Sequence, residues 1–221
     1  MMTNLFSTFD PATNMHTSLN WLSTASVLFF LPLSYWILPN NLTLFINSII
    51  NKLHSEFKTL LGSKNMGTTI FTLSLFIFIL FNNMLGLLPY VFTSSSHMIY
   101  TLTLSLPLWL GLMIFGWFNQ TNYMLAHLVP TGTPPLLMPF MVLIETISNI
   151  IRPGSLAVRL MANMIAGHLI MSLLGNNSIN NPNMLPFIML IQIGLMLFEA
   201  AVAFIQAYVF SVLSTLYASE V

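Results

Sequence analysis

Residues 68–88, TTIFTLSLFIFILFNNMLGLL, and residues 100–118, YTLTLSLPLWLGLMIFGWF, decide the fold class. Neither holds an Asp, Glu, Lys or Arg, and each reaches the ~18 apolar residues that mark a membrane-crossing helix. They lie within a longer stretch, Asn65 to Ile144, that is free of all four charged types, so at least two crossings fall there. Working outward, the chain of 221 residues is 56% hydrophobic and only 5% charged, against about 25% charged in ordinary soluble domains. The reading is an all-α integral membrane protein.

Composition also excludes functions. Five Lys+Arg balance five Asp+Glu, which leaves no basic face for nucleic acid. The absence of cysteine removes disulfides, thiolate catalysis, iron–sulfur clusters and cysteine-based zinc sites. The start, Met1-Met2-Thr3-Asn4-Leu5-Phe6, has neither the basic region of a secretory signal nor the arginine-rich pattern of a transit peptide. Sixteen Met beside abundant Asn, Ile and Phe suggest synthesis inside an organelle from an AT-rich genome.

The expected layout is one membrane domain of five to six helices. Residues 1–20 form an outer N-terminal segment, 21–38 the first span, and 39–67 an inner surface segment. A two-span hairpin covers 68–118, an inner loop 119–135, and a long hairpin 136–221. Within Asn41–Ser63, apolar Leu44, Phe45, Ile49, Leu53, Phe57 and Leu60 alternate with Lys52, Glu56 and Lys58 at near-helical period, the pattern of a helix lying along a membrane surface. Pro32 and Pro107 are expected to bend their helices. Leu136–Leu174 and Met184–Ala218 would run about 58 and 52 Å as helices, far more than the ~30 Å bilayer core. Either Pro139, Pro153 and Gly154 break them or they lie at a steep tilt, beyond the usual ~20°; strong tilt with a local kink is the favoured reading. The polar run from Gly175 to Pro182 closes them into a hairpin. Lys52, Lys58 and Lys64 share one connection, which places it on the cytoplasm-like side; five crossings then put the N-terminus outside and the C-terminus inside.

The chemistry is confined to the long hairpin. Glu145, Arg152, Arg159, His168 and Glu199 stand there, with Asn163, Gln192 and Gln206. A charge at mid-bilayer costs at least ~2.5 kcal/mol, so a chain otherwise purged of charge keeps these for function, or else as internal salt bridges. Ser155, Ala162, Asn163 and Ala166 project within about 60° of Arg159 on a helix. Small residues admit a close neighbour, which makes this face a docking lane for a partner helix or for another helix of the same chain. A guanidinium does not deprotonate, so Arg159 serves as a fixed charge that keeps a passing carboxylate ionised and bars direct proton leakage. His168 falls about 180° from Arg159. Gln192, Glu199 and Gln206 recur every seven residues as one polar stripe, and His168 facing that stripe would meet Glu199. Imidazole exchanges protons near neutral pH, which suits an outer proton path. The alternative is a satisfied buried hydrogen-bond pair. One His and one acid are too few to build a metal site. Glu145, fourteen residues before Arg159, about 40° off its face and about 21 Å along the helix, could line an inner aqueous pocket with Glu220 near its mouth. His16, His54, His97 and His127 fall in or beside connections or surface segments, and no two pair as haem ligands would.

The run Ile151-Arg152-Pro153-Gly154-Ser155-Leu156-Ala157-Val158-Arg159-Leu160-Met161-Ala162-Asn163-Met164-Ile165-Ala166-Gly167-His168 resembles the signature of the subunit a family of F-type ATP synthases in its mitochondrial, insect-like form. The resemblance extends to Phe9-Asp10-Pro11, to Asn82-Asn83-Met84-Leu85-Gly86-Leu87-Leu88-Pro89-Tyr90, and to His127-Leu128-Val129-Pro130-Thr131-Gly132-Thr133-Pro134. It implies a stator subunit, not an enzyme by itself, that gives protons access to the carboxylates of a rotor c-ring through two offset half-channels. On that resemblance Arg159 is the stator arginine, and Asn163 and Gln206 are its polar neighbours. His168 and Glu199 would form the outer half-channel pair, with Glu145 and Glu220 on the inner side. The implied partners are the c-ring, other membrane-sector and peripheral-stalk subunits and the lipid bilayer, in the mitochondrial inner membrane, without cofactor or metal. A self-contained ion or solute transporter and a structural scaffold of a respiratory complex are the rival readings. The repeated halves of a transporter are absent from the sequence.

Overall fold

The computed structural model describes residues 4–14, 16–30, 38–62, 66–129, 132–180 and 182–220. Its helices are α1 (Leu22–Phe30), α2 (Asn41–Leu61), α3 (Met66–Gly86), α4 (Met98–Asn119), α5 (Thr121–His127), α6 (Met138–Asn180) and α7 (Leu185–Glu220). No strand occurs among the described residues. Four helices, over Gly67–Gly86, Met98–Asn119, Met138–Ser178 and Leu185–Ser219, are long and apolar enough to cross a membrane. Of the expected first span, Leu22 to Phe30 is helical; Pro32 and the rest through Ile37 lie outside the described residues, as does Lys64.

The α2 surface helix forms as its periodicity requires. It turns Phe57 and Leu61 inward against α3 and α7, and it stops at Gly62. There φ is +72° and the N–H bonds the Lys58 carbonyl at 3.1 Å. That left-handed backbone favours a residue without Cβ.

Two expectations and one alternative need correction. The 119–135 connection is not all loop, because α5 winds one and a half to two turns through it. The hairpin arms are unbroken, with α6 continuous over 43 residues through Pro153 and α7 over 36. At 1.5 Å per residue they span about 64 and 54 Å. A single proline removes one ladder bond, which the many intact bonds around it offset. The polar run after Gly175 does not form the turn either, since helix persists to Asn180. Ser178 Oγ bonds the Gly175 carbonyl at 2.6 Å within the helix. The winding ends next to Pro182, whose ring disfavours helix in the residue before it.

The core lies where α3 backs onto the long hairpin. Ile79, Leu156, Leu160, Ala207 and Phe210 form one buried cluster, and Leu87, Met164 and Ala203 a second. Alanines 157, 203 and 207 are fully buried, and their small side chains let the helices approach closely. The other faces stay apolar and exposed, as at Ile150, Phe187, Leu190 and Leu197, which is what a lipid-facing surface requires. Next to α1, His97 is wedged between the rings of Trp21 and Phe92, each 5.2 Å away.

Candidate functional site

The arms of the hairpin run antiparallel, and three contacts give the register. Arg159 shares a crevice with Leu156, Leu160, Gln206, Val209 and Phe210. Gly167 meets Glu199, and the Arg152 guanidinium lies 5.2 Å from the Tyr217 ring centroid. Polar residues far apart in sequence therefore fall at three levels along one helix pair.

At the central level, Leu156, Leu160 and Met164 turn into the core, whereas Ser155, Arg159, Ala162, Asn163 and Ala166 are exposed. The small-residue lane expected from periodicity is thus an open surface, with one permanent cation standing in it. Among the described residues no hydrogen bond or ion pair engages the Arg159 guanidinium. No helix of the same chain fills the lane among the described residues: α6 spends its large apolar side chains on α3 and α7 and leaves this face uncovered. Gln206, half-buried, reaches the same crevice from α7.

Nine residues towards the hairpin turn, about 14 Å along α6, His168 points into a cavity of about 910 Å³. Its walls include Phe9 and Asp10 of the N-terminal segment, Gly86 to Thr93 after α3, Ser172 of α6 and Gln192 of α7. That volume holds many waters. His168 Nε2 is buried and has no hydrogen-bond partner among the described residues, and Phe9 meets the imidazole edge-on at 6.3 Å. Glu199 comes to the same level. Its carboxylate fills the notch over Gly167, where an added Cβ would stand 2.5 Å from Oε1. The pair foreseen on opposite arms is brought together in level, although no hydrogen bond joins the two side chains among the described residues.

At the far end, Arg152 Nη2 donates to Glu145 Oε1 at 3.4 Å, with both side chains partly exposed. These residues are seven apart, two turns, and so share a face. This salt bridge lies within α6 alone, so it is not one of the pair tying the two arms together that the charge count allowed. A second cavity of about 210 Å³ lies beside them, lined by Trp109, His127, Thr146 and Asn149 among others. Neither Thr146 nor Asn149 was singled out from sequence, where an isolated Thr or Asn in an apolar run gives no distinguishing signal. The Glu220 side chain lies outside the described residues. No cluster of three or more metal-binding side chains occurs among the described residues.

Comparison with known proteins agrees with this architecture. Residues 17–219 match the family described as ATP synthase A chain. The chain is 60% identical over 225 residues to ATP synthase subunit a of Anopheles gambiae, and 59% to that of Aedes aegypti. It is 60% identical over 223 residues to that of Drosophila melanogaster. Each alignment covers the whole of both chains. With a family match across nearly its full length and relatives this similar, the chain belongs to the ATP synthase A chain family.

Proposed function

We propose that this chain is the stator half of a rotary proton path, with Arg159 facing the carboxylates of a rotor c-ring across the open lane on α6. The family is that of the proton-channel stator subunit of the ATP synthase membrane sector, so the chain acts within the complex and is not an enzyme alone. Rival readings as a free-standing transporter or a scaffold are set aside by that membership. The observation that carries the finer reading is the exposed, unpartnered Arg159 among Ser155, Ala162, Asn163 and Ala166. A bare guanidinium on an apolar helix is costly in lipid, and an anionic partner with a close-packing helix relieves that cost.

Protons enter from the intermembrane side through the large cavity, pass His168 and Glu199, and neutralise a rotor carboxylate. Asn163 and Gln206 hold the polar environment at the crossing. The proton travels with the ring and leaves towards the matrix by Glu145, with Glu220 near the exit. Arg159 stays charged throughout, keeps the arriving carboxylate ionised and separates the two paths. A potential of 100 mV supplies about 2.3 kcal/mol per proton, so several protons drive each ATP. The setting is the mitochondrial inner membrane, crossed several times, with the N-terminus in the intermembrane space and the C-terminus in the matrix. The remaining membrane-sector and peripheral-stalk subunits cover the other apolar faces.

Gentle extraction followed by identification of bound partners tests this reading. Co-purification with a ring of c subunits is expected, whereas a monomer that transports ions by itself would overturn it.

A further inference from the structure

One wall of the cavity of about 910 Å³ is made by the N-terminal segment, and that wall carries an acid to which the proton path above assigns no role. Ser7, Thr8, Phe9, Asp10 and Ala12 all line the cavity. The segment is held in shape locally: the Ala12 N–H donates to Asp10 Oδ1 at 3.0 Å, and Asn20 Nδ2 donates to the Asp10 carbonyl at 3.3 Å. Phe9 anchors it by setting its ring against His168. The acid is therefore the residue next to the aromatic ring that covers the imidazole.

The remaining walls hold few groups that titrate. The turn after α3 contributes Tyr90, α6 contributes His168, and α7 contributes neutral Gln192 and Met196. Asp10 is the one carboxylate among the described lining residues, and it is exposed to solvent. A single-signed charge at the mouth of a low-dielectric cleft focuses its field into the cleft and raises the local concentration of cations.

We propose that Asp10 is the proton-collecting residue of the outer mouth. Its carboxylate takes a proton from hydronium at the surface, becoming a neutral acid and releasing water. It then gives that proton through cavity water to the imidazole of His168, which lines the same cavity and becomes imidazolium as Asp10 returns to carboxylate. The proposal rests on the reading that His168 lies on the outer path. The Asp10 carboxylate also caps the Ala12 N–H, and the two roles are separable because an asparagine Oδ1 can keep that bond.

The test uses the whole complex in sealed vesicles. ATP synthesis is measured at constant total driving force while the outer pH is moved from acid to alkaline. Asp10→Asn should be about threefold slower than the wild type at alkaline outer pH, the effect of one unit charge a few ångströms from the path in a wet site. The deficit should vanish in acid, where protons are plentiful, and Asp10→Glu should restore the rate. Added salt should slow the wild type towards the Asp10→Asn rate, since screening acts on an exposed charge. Rates equal to wild type at every pH would overturn the proposal. So would a deficit of the same size at every pH that Asp10→Glu does not rescue, because that is the mark of a structural cap. A His168→Gln complex with undiminished flux would overturn the outer path itself, whatever Asp10→Asn does.

Discussion

The Glu199 carboxylate on α7 sits in the notch left by Gly167 on α6, so close that a Cβ at residue 167 would stand 2.5 Å from Oε1 and 2.6 Å from the carboxyl carbon. Real side chains do not approach that closely, and one extra methyl group must push the carboxylate away. Gly167→Ala is therefore expected to assemble normally, since the three atoms nearest the new methyl all belong to the flexible Glu199 side chain, which can turn aside. Proton-driven ATP synthesis should fall roughly tenfold or more, as small displacements of a reacting group do elsewhere. Subunit content measured beside the synthesis rate separates the two effects. Normal synthesis by Gly167→Ala would mean that the position of Glu199 is immaterial.

His168 and Glu199 are expected to act as a unit, because they lie one residue apart in level across the two arms, and Glu199 has no other acid or His near it on either arm. A double-mutant cycle on proton flux with Glu199→Gln and His168→Gln measures the coupling. Residues on one path should give a double mutant little worse than the more damaging single. Additive, independent losses would separate them.

Glu145 offers a different test, since its contact with Arg152 is long and both side chains are partly exposed. Such a pair contributes at most about 1 kcal/mol, too little to hold the hairpin together. Glu145→Gln keeps an oxygen for Arg152 and should leave assembly intact while slowing proton release several-fold. Loss of assembly with normal flux per remaining complex would make Glu145 structural only.

The lane on α6 should meet a rotor helix. The chain has no cysteine, so single cysteines at Ser155, Ala162 or Ala166 report without background. Crosslinks to a c subunit are expected at all three positions, and labelling there by lipid-soluble reagents in the intact complex would count against the lane.

The sequence shows some of these features more clearly than others, for physical reasons. The lane around Arg159 was legible because helical period alone places Ser155, Ala162, Asn163 and Ala166 together, whatever the helix packs on. The helix over Asn41–Leu61 was legible from the near-helical period of its apolar and charged residues. The proximity of Glu199 to Gly167 was not, because it depends on the relative shift of two arms whose turn position the polar run after Gly175 disguised. The cavity at His168 was hidden for a similar reason. Its walls come from four separate stretches, and no periodicity links Phe9 to Gln192. Helix α5 escaped notice because seven residues between two turns give too little pattern to separate helix from loop.

The sharpest expectation concerns Arg159, exposed on the isolated chain yet set in a surface that only a partner or lipid can cover. Arg159→Ala should assemble, because the side chain is exposed and only flanks the buried cluster at Leu156, Leu160 and Phe210. ATP synthesis driven by an imposed proton gradient should nonetheless fall by roughly a hundredfold or more, the scale on which removal of one preorganised charge acts. Without the cation, a rotor carboxylate can pass the stator still protonated, and rotation no longer has to exchange protons between the two paths. Arg159→Lys should fail as well. An ammonium is shorter, more strongly hydrated, and able to lose its proton in an apolar site, which a guanidinium does not. Synthesis and subunit content measured on the same vesicles distinguish the alternatives. Near-normal synthesis by assembled Arg159→Ala complexes would sink the mechanism, whereas loss of assembly alone would make the arginine a structural tie between subunits.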